Sequence, residues 1–419
     1  VSVQIIQANA LDLPIADGSV DLIVTSPPYF GLRSYTDGGE HYDGQIGDEA
    51  TPAEFIDALI AATAEMVRVL KPEGSIWVNL GDKYAGGGNG TAGKTSDVGG
   101  YGDRSRQPSA DERRAAMGAA LPKSLIGVPW RYAIRCIDEL ELILRAEVIW
   151  SKPNGLPESV TDRVRRSHET WFHFTKSPRY FSAVDEIREP HESGLHGARR
   201  GPRTDRRADA AARFVNTHRG LPAQPGDATA FHPMGRLPGS VWTIPTQPLI
   251  VPEHLGVDHF AAFPMEWPRR IIRGWSPDGI CVACGQGRRP VGEVTYEQDA
   301  EARRQRMGAK ATSGDTGLMA HGNGGAGLGK RVTITGYTCG CDEPTADTTP
   351  AVVLDPFGGT GTTATVATAL GRHGISVDLS ADYCRLAEWR TTDPGELAKA
   401  AERPKPQPVV VPDGQEVLW

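Results

Sequence analysis

The chain has 419 residues, with 45 Lys+Arg against 52 Asp+Glu and a formal charge of −7. That balance excludes a generally basic nucleic-acid binder, so any such partner must be met by a local patch. No apolar run approaches the roughly 20 residues of a membrane span and no signal peptide opens the sequence, so a cytoplasmic protein without a membrane partner is expected.

Residues 1–150 read as α/β. VSVQIIQANA (1–10) predicts a strand and VDLIVTS (20–26) a second, buried one. Pro27-Pro28 ends it abruptly, because proline cannot donate to a strand ladder. TPAEFIDALIAATAEMVRVLKPEGS (51–75) predicts an amphipathic helix capped by Thr51, with Glu54 three residues on. GSIWVNLGD (74–82) predicts the next strand, and a Gly/Ser-rich segment fills 84–114. Order returns with a helix over 129–144 and a strand over 146–152. Residues 151–250 are mostly loop, and 197–220 concentrates positive charge. Such a run is more often a solvated loop; its other reading is an arm whose arginines neutralise phosphates. Residues 277–349 form a cysteine-bearing insertion, and 350–395 a clean βαβ unit of strand, glycine turn, helix, strand and helix. The tail, 396–419, is Pro-rich and expected to be loose.

In LDPFGGTGTTA the glycines at 358, 359 and 361 follow an apolar strand and open a helix, so the turn is built to let a ligand come close. A phosphate-gripping loop fails for want of Gly-Lys-Ser/Thr. A nicotinamide-dinucleotide site stays open, since Gly359, Gly361 and Ala364 fit its spacing and Asp378 ends the next strand. S-adenosylmethionine is a third reading: Asp355 at the strand tip can meet a cationic amino group, and Phe357 adds an apolar face. A turn that only packs helix on strand is the fourth, and two acids bracketing the loop speak against it.

Ser26-Pro27-Pro28-Tyr29 suits a different task. The exocyclic amine of a DNA base is a poor nucleophile, because its lone pair is delocalised into the ring. Two acceptors aimed at its hydrogens, Ser26 Oγ and the Pro27 carbonyl, would hold it and draw it towards tetrahedral geometry. Tyr29 offers a face on which an extruded base can stack.

Together, TSPPYF (25–30) and DPFGGTGTT (355–363) resemble the amino-methyltransferases of DNA, which modify cytosine N4 or adenine N6. The order, catalytic stretch first and cofactor glycines last, is similar to their circularly permuted beta group. The resemblance continues through 147–181, SVWTIPTQP (240–248) and HFAAFPMEWPRRII (259–272). It implies a Rossmann-like, permuted α/β sheet binding S-adenosylmethionine, a loop-rich target-recognition region at 151–250 and a cofactor-pocket helix at 251–276. It also implies double-stranded DNA as substrate and a cognate restriction endonuclease as a candidate partner. Carried over, Ser26, Pro27, Pro28 and Tyr29 serve the target amine and base. Asp355, Phe357, Gly358, Gly359, Thr360, Gly361 and Thr362 hold the methionine end of the cofactor. Asp378 takes the ribose hydroxyls, Asp12, at the end of the first strand, approaches the adenine, and Phe263 and Pro264 close the pocket. Serine at the head of the tetrad resembles the cytosine-N4 enzymes more than the adenine-N6 enzymes. Methylation at cytosine C5 is excluded in its usual form, because no cysteine here follows a proline.

Cys281 with Cys284 and Cys339 with Cys341 give four thiols in two close pairs, which suits a structural tetrahedral Zn²⁺. The alternative is four incidental reduced thiols.

Overall fold

The computed structural model describes residues 2–31, 36–37, 40–41, 44–85, 121–155, 157–189, 234–257, 262–298, 328–343 and 345–403. The Arg-rich stretch 197–220, most of the Gly/Ser-rich segment and the tail beyond 403 lie outside the described residues.

Eight strands make one sheet: β1 (Val3–Gln7), β2 (Val20–Thr25), β3 (Leu70–Leu80), β4 (Ile143–Ser151), β5 (His168–Thr175), β6 (Val241–Thr243), β7 (Val352–Asp355) and β8 (His373–Asp378). Their order is β1-β8-β7-β2-β3-β5-β4-β6. The first five run parallel, β5 runs antiparallel to both β3 and β4, and β6 is parallel to β4. β2, in the middle, is buried at every position, as a parallel strand covered on both faces must be. One sheet is thus assembled from both ends of the described chain, with β1 beside β8.

Helices cover both faces. On one side α1 (Pro52–Val69) and α2 (Val128–Asp138) pack Phe55, Met66 and Tyr132 into a core with Ile76, Val78, Phe172 and Phe174. On the other side Trp77, Trp171 and Trp242 meet α3 (Glu266–Trp275). Trp267 stacks 4.8 Å from Trp171 and 4.9 Å from Trp242, and Trp275 lies 4.6 Å from Trp77. α4 (Thr362–Ala369) links β7 to β8, and α5 (Ala381–Thr392) and α6 (Pro394–Ala400) follow. Among the described residues no helix is long and apolar enough to cross a membrane.

The α1 cap is the expected one: Thr51 Oγ1 accepts from Glu54 N at 3.2 Å, and Thr51 N donates to Glu54 Oε2 at 3.0 Å. Its end differs from expectation. The helix stops at Val69, and Leu70 turns extended and pairs with Val20. Pro72 explains this, since the residue before a proline avoids the helical region and the ring cannot continue a helix. α2 likewise stops at Asp138, well before 144, because residues from Ile143 are drawn into the ladder with β5. Asp12 is not at a strand end: β1 closes at Gln7, and Asp12 sits exposed in the turn beyond, its N–H bonded to Asn9 O at 3.0 Å. The segment expected to be a loose tail opens with α6, which buries Glu396, Ala398 and Ala400.

The chain divides into two compact units, one of residues 1–183, 239–289 and 337–419, and a second of residues 184–238 and 290–336. The sheet above belongs to the first. The second holds the 3-10 turn Val184–Ile187, an antiparallel bridge between Glu189 and Arg236, and most of a two-stranded ribbon, Arg289–Gln298 with Leu328–Thr338.

Candidate active site

β2 and β7 are neighbouring parallel strands, with Ile23 opposite Leu354, so their carboxyl ends reach the same edge of the sheet. That edge is where open α/β sheets keep their ligands. Thr25 Oγ1 donates to Asp355 Oδ1 at 2.6 Å, and Thr363 Oγ1 donates to Asp355 Oδ2 at 2.9 Å and to Val24 O at 3.0 Å. The Pro-Pro corner and the glycine turn therefore share one lip. Asp355 is 1 % exposed, and burial pushes its pKa up to about 6 against the opposing bonds from Thr25, Thr363 and the Phe357 N–H.

The turn itself is close-packed. A Cβ on Gly358 would lie 1.9 Å from Ser376 Oγ, so a side chain there would force Ser376 to shift. Gly359 N donates to Asp378 Oδ2 at 2.8 Å, and Ser380 N to Asp378 Oδ1 at 2.9 Å. A carboxylate thus takes the loop amide that a pyrophosphate would need, which argues against the dinucleotide reading. Phe357 is half-buried against the core. The hydroxyls of Thr360 and Thr362 face inward: Arg390 Nη1 donates to them at 2.8 Å and 2.7 Å. Thr360, Gly361 and Thr362 are buried, and Gly359 is half-buried.

At the other half of the lip, Ser26 is half-buried and Pro27 buried. Ser26 Oγ donates to Asn79 Oδ1 at 3.3 Å, which leaves the serine oxygen able to accept. Tyr29 Oη lies 2.6 Å from Asn79 Oδ1 and 2.9 Å from Glu169 Oε2. Glu169 is paired in turn with Lys152, whose ammonium sits 4.0 Å over the Trp150 ring. Asn79 Nδ2 donates to Thr170 O at 3.2 Å, so its orientation is fixed. A Cβ on Gly81 would meet Tyr29 Cε2 at 2.6 Å. Glycine there lets the tyrosine ring lie against the chain. Lys83 Nζ caps Gly31 O at 2.7 Å just beyond.

Asn79, Glu169 and Lys152 were not singled out from the sequence. Asn79 is a lone amide in the apolar run IWVNL, and the other two, within 147–181, carry no local mark. Phe263 lies edge-on to Trp171 at 5.7 Å, and Trp171 stands opposite Asn79 in the β3-β5 ladder. Phe263 is therefore on the same face of the sheet as the Ser26 network, while Pro264 is buried and accepts from Trp267 N at 3.1 Å. Asp12 is the one site residue that no observed contact ties to this lip.

The four cysteine sulfurs all lie within 4.8 Å of one another. A tetrahedron of Zn–S bonds of ~2.3 Å has edges of ~3.8 Å, so the set fits the ion. Gly285 N bonds back to Cys281 O at 2.8 Å, a tight turn that points both thiols of the first pair one way.

A family model described as DNA methylase (N6_N4_Mtase) matches residues 20–283 and 348–389, passing over the insertion that carries Cys284, Cys339 and Cys341. The chain is 41 % identical to the type II methyltransferase M.XycI of Xanthomonas campestris pv. cyanopsidis over 43 % of its own length, and spans 56 %, about half, of that relative. It is 28 % identical to M.SmaI of Serratia marcescens over 88 % of this chain and 83 % of that protein. Its fold is similar to that of PvuII DNA methyltransferase (cytosine-N4-specific), with a TM-score of 0.50 and 16 % identity over 96 % and 92 % of the two chains. On this match and this lip, the chain belongs to the N6/N4 family of DNA methylases.

Proposed function

We propose that the protein transfers a methyl group from S-adenosylmethionine to the N4 amine of cytosine in double-stranded DNA. The observation that carries this is the Thr25–Asp355 bond, which joins the Ser-Pro-Pro-Tyr corner to the glycine turn at one edge. The turn fits this cofactor: it offers acids at both strand tips and an apolar Phe357. Arg390, the cation beneath it, is turned inward to hydroxyls rather than outward to a phosphate. Asp355 would hold the amino group, Asp378 the ribose, and Phe263 and Pro264 the far wall; Asp12 is a candidate for the adenine only if its turn moves. When bound, the cofactor supplies a methyl on a sulfonium, ready for a nucleophile.

The protein's own residues do the rest. Asn79 draws the Ser26 proton away from the site, so that Ser26 Oγ and Pro27 O both accept from the target amine. Holding both hydrogens out of the ring plane would localise the lone pair that forms the new carbon–nitrogen bond as the donor's carbon–sulfur bond breaks to leave a thioether, the methylated nitrogen then giving one proton to solvent. Tyr29, fixed by Asn79, Glu169 and Gly81, gives the extruded base a rigid face. Positioning supplies much of the rate, with no covalent adduct to the protein. Cytosine is favoured over adenine by Ser26 at the head of the tetrad. In the cytoplasm the four cysteines stay reduced, and type II relatives make a restriction endonuclease the candidate partner.

The test is direct. The protein is incubated with mixed-sequence DNA and methyl-labelled cofactor, and the digested nucleosides are separated. Label in N4-methylcytosine is expected; label in N6-methyladenine would overturn the choice of base, and no label the activity. For the cysteine set we propose one structural Zn²⁺. Purified protein is expected to contain about one zinc per chain, and chelation to lower its melting temperature; metal-free protein with an unchanged melt would refute the site.

A further inference from the structure

Beneath the glycine turn lies an ion pair that the chemistry above does not use. Arg390, late in α5, and Glu396, in α6, are 4 % and 6 % exposed, and Arg390 Nε donates to Glu396 Oε2 at 3.1 Å. Burying two charges is costly, and such a pair often adds nothing to stability over apolar residues of similar volume. Its effect here is positional. It holds Arg390 Nη1 against the hydroxyls of Thr360 and Thr362, at 2.8 Å and 2.7 Å. Glu396 is itself fixed, by its N–H to Asp393 Oδ1 at 2.8 Å and by Lys399 on its carboxylate.

The far end of α6 is tied elsewhere. Arg269 of α3, with a side chain 7 % exposed, donates from Nη2 to Lys399 O at 3.0 Å and to Ala400 O at 3.1 Å. Its Nε reaches Ala400 O at 3.2 Å. α3 begins two residues after Pro264. Through two buried arginines, α6 therefore grips both chain segments assigned to the cofactor.

We propose that α6 is a brace that sets the glycine turn against the Phe263–Pro264 wall, and that Arg390 and Glu396 are positioning residues for S-adenosylmethionine. This rests on the cofactor reading above. The helix has no contact with the Ser26 network among those observed, so its influence should fall on cofactor affinity and not on the methyl-transfer step.

The double variant Arg390→Met/Glu396→Met separates position from stability, because it leaves no buried uncompensated charge (Lys399, which also loses Glu396, is 38 % exposed) while Thr360 and Thr362 lose their donor. Its melting temperature is expected to stay near that of the unaltered protein. By calorimetric titration, its dissociation constant for S-adenosylmethionine should rise about tenfold, the scale of a lost charge-assisted bond. At saturating cofactor, kcat and DNA affinity should hold within about twofold. Arg269→Lys, which replaces a fork by a single point donor, should move cofactor affinity the same way by less. A double variant that binds the cofactor as well as the unaltered protein overturns the brace alone, as does one that loses DNA and cofactor equally. One that fails to fold does so too, since the pair would then be there for stability. Unaltered protein that binds no S-adenosylmethionine would remove the cofactor reading, and the brace with it.

Discussion

Asp355→Asn is expected to keep the fold and to weaken S-adenosylmethionine binding by about tenfold to a hundredfold at neutral pH, the worth of one charged hydrogen-bond partner. The amide is nearly the shape of the carboxyl, and Thr363 can keep its bond to Val24 O, so the lip survives. What is lost is the negative charge. The pH profile makes the test specific. Burial, ahead of the opposing bonds from Thr25, Thr363 and Phe357 N, raises the Asp355 pKa from 3.8 to about 6. As pH falls through about 6 the carboxyl takes up its proton, so cofactor affinity of the unaltered protein should fall over that window. The variant's affinity should be flat there. Without cofactor the linkage has the opposite sense. A group that binds its proton more tightly when folded contributes stability that is full below its unfolded pKa and is lost as pH rises through the folded one. The Asp355 contribution to apo stability should therefore decline from pH 3.8 to about 6, and that part of the pH dependence should be missing in Asp355→Asn. Equal loss of cofactor and DNA affinity would contradict the assignment.

Tyr29→Ala should lower kcat/KM by about tenfold to a hundredfold, from base stacking worth about 1–3 kcal/mol. It also strips Asn79 Oδ1 of one donor and leaves the Glu169 carboxylate with Lys152 and without the phenol. Tyr29→Phe keeps the ring on Gly81 and loses only the hydroxyl contacts, about 1 kcal/mol, so its rate should fall about fivefold. Single-turnover kinetics at saturating cofactor give both numbers. If the two variants fall equally, the ring is not a platform and Tyr29 acts through its hydroxyl alone.

Much of this was legible in the sequence wherever a rule is local. The buried run of β2 and its proline stop, the Thr51–Glu54 box and the glycine turn between β7 and α4 all follow from neighbours in the chain. Helix ends were less legible. α1 stops ahead of Pro72, a local mark inside the expected range, whereas α2 stops where the sheet captures the residues from Ile143, a competition decided by the β5 ladder farther along the chain. The site was half visible for the same reason. Ser-Pro-Pro-Tyr and the acids declare themselves by type, but Glu169 meets Tyr29 across 140 positions and Arg390 meets Thr360 across 30. Nor does the pattern GGTGTT say which way its hydroxyls turn. Thr360 and Thr362 look like ligand contacts until Arg390 is seen beneath them.

The account stands on methyl donor and base meeting at the single edge formed by β2 and β7. A crystal structure of the protein with DNA and a non-reactive cofactor analogue measures this directly. The account predicts the analogue in the bend at Gly359, and an extruded cytosine amine within about 3–3.5 Å of the position of the transferable carbon, in the near-attack range, bonded to Ser26 Oγ and Pro27 O. An analogue seated elsewhere, or a base left stacked in the duplex while Ser26 faces solvent, would contradict it.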